Sequence, residues 1–176
     1  MSIRLLISSD SLRNTTFSCD SMGIHYDVSK EGDIVSIYRW ESKSNQKVLV
    51  GQIQFHLVSL NLNDKVRIGE NGEWKKRKDV LTLDGGNFMS RARTFEGNDG
   101  VRYKWKLHWE SLQLCYADKD GPNQGPLLVY HRNILPGKES YLEIRDTSIL
   151  PTLDNIIVTF LIMEKKRREF DETAAA

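Results

Sequence analysis

A mainly β fold with one buried C-terminal helix is what this sequence predicts, and three observations carry the prediction. About a dozen short strand-like segments precede Pro151, at the spacing usual for an all-β barrel or sandwich. The stretch Ile156 to Met163 is apolar on every side, so as a helix it must be enclosed by protein. No repeat, linker or low-complexity tract marks a second domain. Residues 1–173 therefore read as one domain, with Ala174-Ala175-Ala176 as a tail.

The strands are justified in chain order. Arg4 to Ser8 is the first short candidate. Thr15 to Cys19 and Ile24 to Val28 flank Asp20-Ser21-Met22-Gly23, a hairpin-like break. Ile34, Ser36, Tyr38 and Trp40 share one side of a strand, because side chains repeat every two residues. In the next strand Val48, Val50, Gln52 and Gln54 face one way, and Leu49, Gly51, Ile53 and Phe55 the other. Asn45-Gln46 joins these two strands as a hairpin. Val66 to Ile68 follows, then Asn71-Gly72, a pair that tolerates the positive φ of a tight turn. Val80 to Leu83 precedes Asp84-Gly85-Gly86, which reads as a turn.

Val101 to Trp109 is the clearest strand. Val101, Tyr103, Trp105, Leu107 and Trp109 alternate with Arg102, Lys104, Lys106 and His108, giving an aromatic inner face and a basic outer one. Ser111 to Ala117 is its hairpin partner. Leu127 to His131 and Tyr141 to Arg145 complete the set. Trp40, Trp105 and Trp109 are assigned to packing.

The final segment reads as a helix from Leu153 to Glu169, roughly 25 Å long at 1.5 Å per residue. Thr152 or Asp154 supplies a cap, Pro151 sits where proline is tolerated, and Lys165 to Arg168 complement the helix dipole. The β-branched Ile156, Ile157, Val158 and Thr159 would also suit a buried strand. Length and the end signals favour the helix. The apolar run falls short of the ~20 residues that span a bilayer. Asp10 interrupts the apolar N-terminus, so no signal peptide is expected, and the chain reads as cytoplasmic.

Three pieces carry a family resemblance: Asp10 to Thr16, Gly100 to Trp105, and Asp154 to Leu161 with the basic residues after it. With these the chain resembles the tubby C-terminal-like group, which includes tubby proteins, phospholipid scramblases and LURP-one-related proteins. It is similar, more closely still, to an uncharacterised domain family of mushroom-forming fungi placed in that group. The resemblance implies a closed antiparallel β-barrel of about 12 strands around the buried C-terminal helix. A closed barrel would supply the enclosure the helix needs and remove the sheet edges. The resemblance brings no activity, no residue match to the phosphoinositide site of the tubby proteins and no calcium loop.

Lys plus Arg (25) nearly balance Asp plus Glu (24), so the net charge of +1 argues against a dedicated nucleic-acid binder. Cys19 and Cys115 match no metal or redox spacing and read as free thiols of a reducing compartment. His25, His56, His108 and His131 are scattered without zinc-ligand spacing. No nucleophile elbow or phosphate loop occurs, and Asp118-Lys119-Asp120-Gly121 lacks the remaining ligands of a calcium loop. No cofactor or metal is expected.

The run Trp74-Lys75-Lys76-Arg77-Lys78 is the strongest functional signal. Four cations after an indole can meet anionic headgroups, each contributing about 1 kcal/mol near an anionic membrane. The competing reading is a solvated strand edge, where lysines block edge pairing. Arg91, Arg93, Arg102, Lys104 and Lys106 extend the candidate patch. Lys165 to Arg168 are assigned to the helix end and solubility. The expectation is a non-enzymatic binding module, peripheral at a membrane, engaging anionic phospholipid headgroups. The alternatives are a protein-interaction or scaffold domain, and a small-molecule binder or enzyme with an external groove.

Overall fold

A computed structural model describes residues 2–56, 63–84, 91–108, 111–119 and 124–176. It contains thirteen strands: β1 (Ile3–Ile7), β2 (Thr15–Cys19), β3 (Ile24–Glu31), β4 (Ile34–Glu41), β5 (Gln46–Gln54), β6 (Lys65–Ile68), β7 (Lys75–Lys76), β8 (Thr82–Leu83), β9 (Arg93–Glu96), β10 (Arg102–His108), β11 (Ser111–Tyr116), β12 (Leu128–His131) and β13 (Ser140–Ile144). A one-turn helix, α1 (Arg77–Val80), separates β7 from β8, and the long helix α2 (Leu153–Ala175) closes the chain. All strands join one antiparallel sheet in the order β7-β6-β5-β4-β3-β2-β1-β13-β12-β11-β10-β9-β8.

This order is a continuous meander with an uncommon opening. The first and last strands, β1 and β13, pair over their whole length, from Ile3↔Ile144 to Ile7↔Ser140. The sheet is left open instead at mid-chain, between β7 and β8. It is therefore not a closed barrel as the sequence suggested. Its two edges are consecutive in the chain, yet α1 bridges them where a hydrogen-bonded ladder would close the ring. The Leu81 N–H donates to the Arg77 carbonyl at 2.8 Å, so these residues satisfy one another locally rather than across the seam. The strand expected over Val80 to Leu83 is accordingly only Thr82–Leu83.

The sheet curls around α2. Phe160 meets Phe17 from β2, Trp105 from β10 and Tyr130 from β12, with ring centroids 4.9 to 5.9 Å apart. On the far side Val158 packs on Gly51 of β5, where a Cβ would stand only 2.6 Å from Val158 Cγ2. Every side chain from Asn155 to Glu164 is buried, which is why the sequence there shows no polar face. Thr147–Ala175 is long and apolar enough to cross a membrane by length and composition once its flanks are counted, but 72% of its most apolar window is buried within the protein.

The start of α2 differs from expectation. Pro151 lies in a 3-10 turn, Thr147–Thr152, capped by the Asp146 carboxylate accepting from the Ser148 N–H at 2.9 Å. Thr152 makes no side-chain cap and accepts from the Asn98 N–H instead. Asp154 turns to the sheet, accepting from the Tyr26 hydroxyl at 2.6 Å and pairing with Arg39 Nε at 3.1 Å. Burial and that carboxylate push the Tyr26 phenol well above its ordinary range.

A bulge corrects the facing of two strands. The β4–β5 register shifts between Ile37 and Tyr38, leaving Val50 as the extra residue on β5. Gly51 and Ile53 share the inward face, and across the bulge Val50 is buried too. Trp40 is 37% exposed on the outer side, not part of the core. Asn71-Gly72 belongs to a wider loop rather than a two-residue turn. Gly69 takes the positive φ there (78°), and a Cβ on Gly72 would strike the Ile68 carbonyl. Cys19 and Cys115 are free, Cys115 being buried. Trp109, Gly85, Gly86, Asp120 and Gly121 lie outside the described residues.

Candidate anion-binding site at the sheet seam

The gap between β7 and β8 opens on a cavity of about 230 Å³ lined by Arg77, Lys78, Leu81, Thr82, Leu83, Arg93, Ile162, Met163 and Lys166. Four of the nine are cations and none is acidic. They arrive from three different elements. Arg77 and Lys78 stand on α1, Arg93 on β9 and Lys166 on α2, two residues past the enclosed part of the helix.

Register explains Arg93. It pairs with Trp105 of β10 and with Leu83 of β8. Paired residues share a face, and the fully buried Trp105 puts that face toward the helix. Burial, then the charge of Arg77, lowers the Arg93 pKa. Arg77 is held by Asp64, itself 1% exposed, whose carboxylate lies 3.7 Å from Nη1 and whose carbonyl accepts from the Arg77 N–H at 2.9 Å. Lys166 is half-buried. Burial first, then Arg93 and Arg77, lowers its pKa to about 8, with Glu169 acting the other way. Burial is the larger cause, and the added effect of Arg93 and Arg77 places the three cations in one electrostatic neighbourhood.

The rest of the α2 basic run is spent otherwise. Arg167 and Arg168 both bind the buried Glu164 carboxylate, at 2.7 Å through each Nε. Arg168 also reaches Asp10 at 2.9 Å, and Arg132 reaches it at 2.8 Å. Lys165 pairs with Glu169 and lies 4.8 Å from the centroid of the Phe55 ring. These contacts fasten the helix exit. Lys166, by contrast, enters no ion pair among the described residues, and the sequence reading did not single it out.

The expected patch thus divides. Arg77, Lys78 and Arg93 converge on the cavity, and Arg91 lines a slot next to it that also includes Lys166. Trp74, Lys75 and Lys76 are exposed on and beside the β7 edge, with Arg67 over the Trp74 ring at 5.6 Å. Lys76 sits opposite Lys65 across the β6–β7 ladder, a like-charge pair that adds to the local potential. Arg102 is engaged by Asp118 at 3.0 Å. Lys104 is buried and meets Asp84 at 3.3 Å, so the outer face of β10 is not the open basic surface that alternation suggested. Lys106 is half-buried on the same strand.

The histidines do not assemble. His25 contacts Asp27 at 3.0 Å and His131 contacts Glu143 at 2.9 Å, while His56 lies 3.9 Å from Asp64 and His108 stands exposed on β10. None lines the seam cavity. Among the described residues no group of three or more His, Cys, Asp or Glu side chains could hold a metal ion.

These features define a β-meander protein whose sheet enfolds its own C-terminal helix and opens at a cationic seam. The family of unknown function DUF6593 matches residues 10–169, and the chain belongs to it. No curated protein and no solved structure matches the chain.

Proposed function

We propose that the protein is a non-catalytic binding module that engages anionic phospholipid headgroups, with the headgroup phosphate held in the seam cavity. The observation that carries this reading is the convergence of Arg77, Lys78, Arg93 and Lys166, from three separate elements, on one cavity without an acidic wall. An anion there relieves repulsion among cations that the fold has already brought together. Trp74, Lys75 and Lys76 beside the seam add the exposed indole and point charges suited to a membrane interface. The enclosed C-terminal helix supports placing the family in the tubby C-terminal-like group, a resemblance of fold that carries no ligand with it.

Co-sedimentation with phosphatidylcholine vesicles, with and without phosphoinositide, tests the reading. Lys166→Met with Arg93→Gln should weaken binding to the anionic vesicles by at least tenfold, at about 1 kcal/mol for each cation. Binding unchanged by that pair would sink the site.

A second reading has its own observation. Ile134 and Leu135, 77% and 58% exposed, stand together on the loop between β12 and β13. Such a pair suits a protein-docking surface. Light scattering on wild type and Ile134→Ser/Leu135→Ser tests for self-association.

A further inference from the structure

We infer that the ligand of the seam cavity is an amphiphile, a single-chain phosphate monoester whose apolar tail fills the slot next to it. This rests on the reading of the cavity as an anion site. The slot has a volume of about 50 Å³ and is lined by Leu107, Leu112, Met163 and Phe170, with Arg91, Lys166 and Arg167 as its polar members.

Three observations point to one ligand across both spaces. First, Met163 and Lys166 line the cavity and the slot alike. An anion on the Lys166 ammonium therefore has the lysine methylenes and the Met163 thioether leading from it into apolar walls. Secondly, the walls are built in register. Leu107 of β10 pairs directly with Leu112 of β11, and Met163, Lys166, Arg167 and Phe170 recur at helical spacing along one side of α2. Thirdly, Phe170 is 48% exposed, yet it is fixed by the Arg91 guanidinium 3.6 Å from its ring centroid. An ordered, half-exposed aromatic beside an apolar slot is a wall in search of a chain.

Charge selects the head and volume selects the tail. Neither lining contains an acidic side chain, so a cationic or neutral amphiphile gains nothing at the head. The slot holds roughly three to five methylene-sized groups, at about 10–15 Å³ for each water-sized sphere.

Calorimetric titration of the full chain with inorganic phosphate, then methyl, butyl and hexyl phosphate, tests this. Affinity should rise by roughly threefold to fourfold per methylene up to about butyl and then level off. Phe170→Ala should remove at least threefold of the butyl gain while leaving inorganic phosphate binding unchanged. Butyl phosphate binding no tighter than inorganic phosphate would overturn the tail site and leave the anion site standing. Failure of every phosphate to bind would overturn both. Butylammonium binding as tightly as butyl phosphate would overturn the charge selection.

Discussion

Trp105 Nε1 donates to Thr159 Oγ1 at 2.9 Å, tying β10 to the middle of α2 inside the core. Both residues are fully buried, and the Thr159 hydroxyl donates in turn to the carbonyl of Asn155 or Ile156. The bond fixes how far α2 is rotated within the sheet, and hence which of its side chains reach the seam. Thr159→Val keeps the shape but strands a buried indole N–H. It should cost about 1–3 kcal/mol, lowering the melting temperature by roughly 2–4 °C per kcal/mol for a chain of this size. Thr159→Ser should lose much less. Thermal unfolding followed by circular dichroism compares the three proteins, and equal loss in both variants would assign the effect to packing.

Gly51 is where the sheet comes closest to the helix. An added methyl would meet Val158 Cγ2 at 2.6 Å and the Arg67 carbonyl at 3.1 Å. Gly51→Ala should destabilise by about 1–3 kcal/mol through overpacking. Adding Val158→Ala removes the nearer contact. The double variant should then be more stable than the sum of the two single losses predicts, a coupling that urea titration measures.

Asp10 links the N-terminal segment to the helix exit, accepting from Arg132 and Arg168. The Arg132 hydrogen bond, chiefly, holds its carboxyl below the usual carboxylate range, against a smaller opposing effect of burial. A folded-state pKa below the unfolded one gives stability that is present above about pH 4 and lost as pH falls through the folded value. Because Asp10 is half exposed, solvent screening keeps the contribution below about 1 kcal/mol. Asp10→Asn should therefore lower the urea midpoint slightly at pH 7, and the gap should shrink toward pH 2.5. A gap that widens in acid would contradict the pairing.

Much of the fold was legible because local patterns carried it. Tyr103 and Trp105 alternate with polar residues, and the run after Asn155 lacks any polar face. The opening of the sheet was not legible. β7 and β8 have two residues each, too short to show a period, and Arg77–Val80 turns into helix where apolar Val80 and Leu81 suggested strand. The candidate site was half legible, since Arg77, Lys78 and Arg93 were marked by composition alone. That Arg93 faces inward depends on its register with Trp105, a non-local fact. Lys166 was hidden in a run of four cations. At about 100° per residue around a helix the four point in different directions, and only the position of Glu164, Asp10 and the seam decides which of them faces a ligand.

Lys166 supplies the sharpest prediction. Its pKa is lowered to about 8 by burial and by Arg93 and Arg77. A lysine whose folded pKa lies below its unfolded value binds fewer protons in the native state between about pH 8 and 10.4. Stability therefore rises with pH across that window, and below it the charged ammonium is a cost to the free protein. An anion in the cavity favours the charged form, so phosphate binding takes up a proton above about pH 8. The affinity for inorganic phosphate should fall by up to about tenfold per pH unit beyond that point, in proportion to the protonated fraction. Lys166→Met should show the reverse balance: a free protein more stable than wild type at pH 7, with weaker phosphate binding that no longer falls through this window on account of residue 166. Calorimetry between pH 7 and 9.5 on both proteins measures the slope. An identical pH dependence in wild type and Lys166→Met would show that the lysine does not face the bound anion.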